Sequence, residues 1–344
     1  MEAAEDHLKI EHDVSLQPFN TMAVDASTKF MVAVDSVLQL KDALAWAEQR
    51  ELPVLVLGGG SNTIFQSDYP GLVILNRIKG IELLSETEDS VVLKVGAGEN
   101  WHQLVEYSVK QAWHGLENLA LIPGLVGAAP IQNIGAYGIE ISQSLQTVDY
   151  VDIYSKAEHQ LANTDCEFAY RDSIFKRQLL DKVVITAMTV ELKKHADLNL
   201  SYPALQIYLD QANIKSPQQL DVYNAVCDIR SRKLPSPDVI PNAGSFFKNP
   251  LVSDEKFAEL KQQFPELVSF QVAGGHKLAA AWLIENAGWK QQVIDGVSVH
   301  QDQALVIINP LRLKGETIVN LAQCILSDIK VRYRVVLEIE PRLI

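Results

Sequence analysis

A continuous apolar run at residues 52–57 ends directly in Gly58-Gly59-Gly60-Ser61-Asn62. Sixty-four residues after Gly58 begins a second stretch, Ile122-Pro123-Gly124-Leu125-Val126-Gly127-Ala128-Ala129-Pro130-Ile131-Gln132-Asn133-Ile134-Gly135-Ala136-Tyr137-Gly138, with nine of seventeen positions Gly, Ala or Pro. This pair constrains the fold most. An apolar run of that length is a buried strand. Glycine after it permits a tight turn and lets backbone N–H groups approach an anion with no side chain in the way. Ser61 and Asn62 add donors. The plainer reading of the first stretch is a strand-to-loop turn, and of the second a buried connection between subdomains. No Gly-Lys-Ser/Thr follows, so the first stretch is not a phosphate loop of the Walker kind. Neither stretch spells Gly-x-Gly-x-x-Gly, so a conventional dinucleotide fold is disfavoured.

The rest of the chain alternates strand-like and helix-like segments. Residues 29–34, 52–57, 72–75, 91–95, 148–153, 183–192, 304–308 and 333–339 read as strands. Residues 37–49, 101–111, 220–231, 276–287 and 316–330 have helical spacing. Leu234-Pro235-Ser236-Pro237 breaks the pattern and marks a domain boundary. The class is α+β with mixed sheets.

Composition removes several functions. The 344 residues suffice for two or three domains, and the net charge is −13. An acidic chain is a poor partner for nucleic acid, which requires a basic surface. Between Arg230 and Lys248, however, four basic residues meet one acid, a local contrast suited to a small anionic ligand. Cys166, Cys227 and Cys324 are far apart and suggest neither disulfides nor a metal site. The eight histidines form no metal-binding motif. No apolar run has membrane-spanning length, and the acidic start lacks the features of a signal peptide. A cytoplasmic protein with no membrane insertion is expected.

Pro241-Asn242-Ala243-Gly244-Ser245-Phe246-Phe247-Lys248-Asn249-Pro250 places two small residues before a hydroxyl, then two aromatics, a cation and an amide after it. By itself it reads equally as a polar site over an apolar floor or as a loop entering a strand. Tyr170-Arg171-Asp172-Ser173-Ile174-Phe175-Lys176, Arg230-Ser231-Arg232-Lys233-Leu234-Pro235 and Leu337-Glu338-Ile339-Glu340 accompany it. In order and spacing these runs resemble the UDP-N-acetylenolpyruvoylglucosamine reductases of the first type, flavoenzymes that make UDP-N-acetylmuramate for peptidoglycan. The resemblance extends over nearly the whole chain, from about residue 16.

That resemblance implies a two-subdomain FAD-binding fold of the vanillyl-alcohol oxidase (PCMH) type plus a C-terminal α+β substrate-binding domain. The expected divisions are 1–79 and 80–233 for the FAD-binding subdomains and 235–334 for the substrate domain, with 335–344 returning to the first. FAD would lie along Gly58, Gly59, Gly60, Ser61, Asn62, Ile122, Pro123, Gly124, Gly127, Ala128, Ala129, Gln132, Asn133, Gly135, Ala136 and Tyr137. NADPH would reduce it and leave. Hydride would then pass from flavin N5 to the enolpyruvyl methylene of UDP-N-acetylglucosamine enolpyruvate.

Arg171 is the implied catalytic cation for the charge that develops beside the carboxylate. Alone, it would read as a surface partner of Asp172. Ser245 is the implied proton donor, with reprotonation through water or Lys233. Glu340 is the implied carboxyl group beside the substrate carboxylate, held protonated by that neighbour. Glu338 competes with it, since residues two apart on a strand share a face. Tyr202, Lys233, Asn249, Phe270 and Gln303 are implied substrate contacts. The resemblance also places Phe270 at a position where related enzymes can carry Tyr, which removes a hydroxyl donor. Ala128-Ala129 stands where small hydroxyl residues occur, which removes two possible FAD contacts. A monomer is expected. The competing readings are a related flavin oxidase of another small molecule and a non-catalytic flavin- or nucleotide-binding module.

Overall fold

A computed structural model describes residues 8–344, so the first seven residues of the expected 1–79 segment lie outside the described residues. The chain forms two compact units. Among the described residues, the first comprises 8–14, 28–59 and 70–232, and the second 15–27, 60–69 and 233–344. The break after Arg232 falls beside the expected boundary. Residues 15–27 and 60–69, expected in the first segment, cluster instead with the C-terminal unit.

The first unit is built on two sheets. In one, the order is Glu11–Ser15, Ser27–Val34, Tyr69–Asn76, Val54–Leu57. Val54–Leu57 runs parallel to Tyr69–Asn76, with Leu57 opposite Leu75, and so delivers Gly58 at its end. Helix α1 (Val37–Glu48) begins where Ser36 Oγ accepts the Gln39 N–H, a standard N-cap. Its buried Leu40, Ala43, Leu44 and Ala47 have helical spacing and share a core with Val32, Val34, Leu72 and Ile74.

The second sheet has the order Glu158–Ala162, Leu145–Asp152, Val183–Lys193, Ser90–Gly96, Ile81–Glu86, and its pairings are antiparallel. Helix α2 (Trp101–Lys110) is capped by the Asn100 side chain. Trp101 is buried, and its indole N–H donates to Leu119 O at 2.9 Å. Cys166 lies in this core, where burial first, and Asp165 second, push its thiol up to about 12. Asn76 Nδ2 donates to Ile185 O at 2.8 Å and ties the two sheets together. Helices α3 (Pro203–Gln211) and α4 (Gln219–Lys233) complete the unit.

The second unit holds a sheet ordered Asn242–Ser245, Val306–Ile308, Val297–Val299, Val293–Ile294. A smaller one is ordered Leu251–Val252, Gly275–Leu278, Ser269–Val272. Helices α5 (Asp254–Gln263), α6 (Ala280–Asn286) and α7 (Gly315–Tyr333) accompany them.

Two expectations fail here. Residues 276–287 are not one helix, because Gly275–Leu278 is a strand paired on both sides and α6 starts only at Ala280. Gly275 has φ +140°, and a Cβ there would lie 2.2 Å from Val252 O, so tertiary pairing overrides the helical spacing. Nor is 333–339 a regular strand. α7 continues to Tyr333, Arg334 ends it in a left-handed conformation, and Ile339 makes a single bridge to Phe247. The alternation that suggested a strand is real, with Val335 and Leu337 buried and Val336 and Glu338 exposed, but the extended chain lacks a ladder.

Candidate active site

The two glycine-rich stretches meet inside the first unit. A Cβ on Gly59 would lie 3.1 Å from Gly124 Cα, and one on Gly58 would touch Leu125 at 3.6 Å. Gly58, Gly59 and Ala128 are exposed, presenting backbone rather than side chain to a ligand. The second stretch is anchored from behind. Val126 N–H donates to Glu99 O, Gly127 N–H to Ala97 O and Trp101 N–H to Gly124 O. Leu121, at φ +56°, leads into it and donates its N–H to His102 Nδ1 at 3.1 Å.

The Asn133 side chain serves the protein itself. Asn133 is buried, its Nδ2 donates to Glu140 Oε2 at 2.8 Å and Ala169 O at 3.1 Å, and its Oδ1 accepts from Ser142 N–H. It thereby holds a tight hairpin whose ends, Ala169 and Asp172, bond to each other through both backbone pairs. Arg171 sits in this turn at φ +54°, a conformation that costs a non-glycine residue on the order of 1 kcal/mol. Its Nη2 donates to Gly135 O at 2.7 Å, placing the guanidinium against the second glycine stretch. Asp172 pairs with Arg177 at 3.4 Å, which weakens the reading of Arg171 as a surface counter-ion for Asp172.

A second cation here escaped the sequence reading. Arg230, on α4, lies close enough to Tyr137 and Arg171 for its charge to interact with both. Burial lowers its pKa first, and Tyr137 opposes that shift. Arg230 Nε is buried with no hydrogen-bond partner. The only signal in the sequence was the basic run Arg230-Ser231-Arg232-Lys233, which does not say which member turns inward. Of these, Lys233 is exposed at the end of α4. Tyr202, at the N-terminus of α3, has its ring edge-to-face with Tyr137 at 5.0 Å between centroids.

The second unit brings Ser245 and Glu340 close in the backbone. Residues 338–340 run antiparallel to 246–248. Lys248 N–H donates to Glu338 O, Phe247 bridges Ile339, and Glu340 N–H donates to Phe246 O at 2.9 Å. Glu338 is exposed and ion-paired with Lys248 at 2.8 Å, whereas Glu340 is bonded through its backbone N–H to the residue after Ser245. Behind the serine, Asn242 is 2% exposed. Its Oδ1 accepts the Gly244 N–H, and its Nδ2 donates to Pro235 O and Ile240 O. This local turn, with Gly244 at φ +69°, accompanies a register irregularity between Asn242 and Ser245. Such bulges re-aim side chains at sites.

After Glu340 the chain pairs in parallel with residues just beyond the first glycine stretch. Arg342 lies opposite Thr63, Leu343 opposite Ile64, and Arg342 N–H donates to Asn62 O at 2.8 Å. Gly60, beside Ser61 and Asn62, has φ +58°, and a Cβ on it would lie 2.0 Å from Phe19 O.

Among the expected substrate contacts, Asn249 Oδ1 accepts the Ala280 N–H that opens α6. Gln303 is half-buried, and its carbonyl accepts the Val306 N–H. Phe270 is exposed, and Lys277 stands directly opposite it on the neighbouring strand. Residues so paired share a face, so a cation accompanies the Phe270 ring.

The first unit's donor set suits FAD. A diphosphate fits unobstructed backbone at the glycine stretches, and an acceptor on a flat ring or phosphate would satisfy the buried Arg230 Nε. Residues 28–157 match a family model described as an FAD binding domain. The chain is therefore an FAD-binding α+β protein. Residues 235–344 match the C-terminal domain model of UDP-N-acetylenolpyruvoylglucosamine reductase. The chain is 44% identical to the UDP-N-acetylenolpyruvoylglucosamine reductase of Pseudomonas fluorescens (strain Pf0-1), covering 97% of this chain and 98% of that one. It is 46% identical to that of Escherichia coli (strain K12), covering 96% and 95%. It belongs to the UDP-N-acetylenolpyruvoylglucosamine reductase family. The crystal structure of the Thermus caldophilus UDP-N-acetylenolpyruvylglucosamine reductase shares the fold, with TM-score 0.69 and 21% identity over 98% of this chain and 99% of that one.

Proposed function

We propose that this chain reduces the enolpyruvyl ether of UDP-N-acetylglucosamine enolpyruvate to UDP-N-acetylmuramate, a peptidoglycan precursor, using FAD and NADPH. Among the described residues no helix is long and apolar enough to cross a membrane, and a cytoplasmic monomer is our reading. We take the two sheets of the first unit as the two FAD-binding subdomains, and residues 235–334 as the substrate domain.

The chemistry available from FAD here is hydride transfer to the vinyl methylene carbon, with NADPH as the reductant. The protein's own groups handle charge and protons. Arg171 carries a permanent positive charge for the electron density that builds on the adjacent carbon and its carboxylate. Its turn and its bond to Gly135 O hold the guanidinium in place before reaction begins, so no reorganisation is needed. Arg230, with its Nε buried, adds a second cation to the same unit. Ser245 O–H gives its proton to the enolate carbon, a base strong enough to take it. Glu340 hydrogen-bonds the substrate carboxylate in its protonated form. Lys233, Asn249, Phe270 with Lys277, Gln303 and Tyr202 contact the sugar nucleotide.

The observation that supports this most is the backbone bond from Glu340 N–H to Phe246 O, which brings the segment carrying Glu340 against the residue that follows Ser245. The test is an anaerobic half-reaction. The protein is reduced with NADPH, the enolpyruvyl sugar nucleotide is added, and the flavin's visible absorbance is followed. Rapid reoxidation is the expected result. Reduction without reoxidation would refute the substrate and favour a related flavoenzyme.

A further inference from the structure

Asn118 is 1% exposed, and its side-chain amide spends both hydrogens on backbone. Nδ2 donates to Tyr137 O at 2.9 Å and to Asn199 O at 3.0 Å. Tyr137 closes the second glycine-rich stretch, and Asn199 lies three residues before Tyr202. The same two segments meet three more times. Asn199 Nδ2 donates to Gly138 O at 3.2 Å. The rings of Tyr137 and Tyr202 touch edge to face. Gly138, at φ +86°, packs so closely that a Cβ would lie 3.1 Å from Ser201 Oγ. Asn199 Oδ1 in turn accepts from Ser201 N–H at 3.1 Å and Ser201 O–H at 2.7 Å, fixing the residue next to Tyr202.

From these contacts we propose that Asn118 and Asn199 are positioning residues that couple the cofactor loop to the segment carrying Tyr202, so that FAD and the sugar nucleotide each tighten the other's binding. The proposal rests on the reading of residues 122–137 as an FAD contact and of Tyr202 as a substrate contact. Ordering a residue costs conformational entropy. A segment already held by one ligand has less left to order for the second, and the gain is reciprocal by linkage. Asn118 carries this coupling because one rigid side chain bonds both backbones. Asn199 reinforces it from the other side.

The test titrates FAD into the apoprotein by flavin fluorescence, with and without saturating UDP-N-acetylglucosamine enolpyruvate and with no NADPH present. In the wild-type protein the sugar nucleotide should lower the FAD dissociation constant about five-fold or more, within the usual range for coupled sites. Asn118→Ala and Asn199→Ala should each cut that factor below about two-fold. Asn199 is only half-buried, so its variant keeps the test open if Asn118→Ala fails to fold. Both variants should keep the wild-type rate of flavin reduction by NADPH, while the KM for the sugar nucleotide rises. Amide exchange at residues 198–202 should slow on FAD binding in the wild type but not in the variants. A purely architectural role would weaken FAD binding and stability but leave the coupling factor intact, and that result overturns the proposal. So does a wild-type factor near one. If the wild-type protein binds no FAD or no sugar nucleotide, the functional reading itself fails.

Discussion

At the level of single residues, the assignments separate proton delivery from electron supply. Ser245→Ala removes a proton donor but no FAD-loop residue. Steady-state turnover should drop roughly 10²- to 10⁴-fold, the usual worth of a positioned acid, while NADPH still reduces the flavin at the normal rate. Stopped-flow absorbance of the two half-reactions checks this, and equal losses in both would move Ser245 out of its role. His102 carries a pH dependence. Its neutral ring accepts the Leu121 N–H and stacks on Tyr223. Burial lowers its pKa, Glu106 pulls it up, and Arg230 lowers it further, with a net downward shift. The unfolded chain therefore binds a proton near the ordinary value of about 6.5 while the folded one does not. Stability should begin to fall as pH drops through that value, and keep falling until the lowered folded value is passed. Urea midpoints across pH 7.5 to 5 should show this slope, and His102→Gln, which keeps an acceptor, should flatten it.

At the level of elements, the serine is aimed by a turn and the glutamate by a pairing. Asn242→Ala strips three hydrogen bonds from a buried side chain. A loss of about 1–3 kcal/mol in unfolding free energy is expected, together with lower turnover because Ser245 loses its bulge. A variant with wild-type turnover would show that the bulge does not orient the hydroxyl. A chain ending at Ile339 loses Glu340, the parallel pairing at Arg342–Leu343, and the bonds of Ile344 with Ile64 and Gln66. It should lose both activity and stability, whereas Glu340→Gln should lose activity alone. Full turnover in the shortened chain would refute the Glu340 assignment. The helices with a clear apolar stripe, such as α1 and α2, were legible in the sequence because that periodicity is local. Residues 275–278 and 334–339 were not, because the strand state of each is decided by which backbone lies beside it.

At the level of the whole molecule, cofactor binding should be visible as stability. A ligand present at a hundred times its dissociation constant contributes about 2.7 kcal/mol. FAD should therefore raise the thermal midpoint of the apoprotein by several degrees, in a concentration-dependent way. A midpoint unmoved by FAD would refute the cofactor assignment. The sequence by itself determined the α+β class, the two glycine stretches and the family that the runs around Arg171, Ser245 and Glu340 resemble. Each rests on short-range patterns of residue size, polarity or turn chemistry. Only the tertiary structure decided that Arg230 is the inward cation of its basic run and that Glu338 is spent on Lys248. It also decided that Asn118 and Asn133 hold loops from beneath, and that residues 15–27 and 60–69 belong with the C-terminal unit. Those facts depend on contacts between segments far apart in the chain, such as Thr63 with Arg342. A residue's neighbours along the sequence carry no record of which distant backbone will bury it or accept its hydrogen bond.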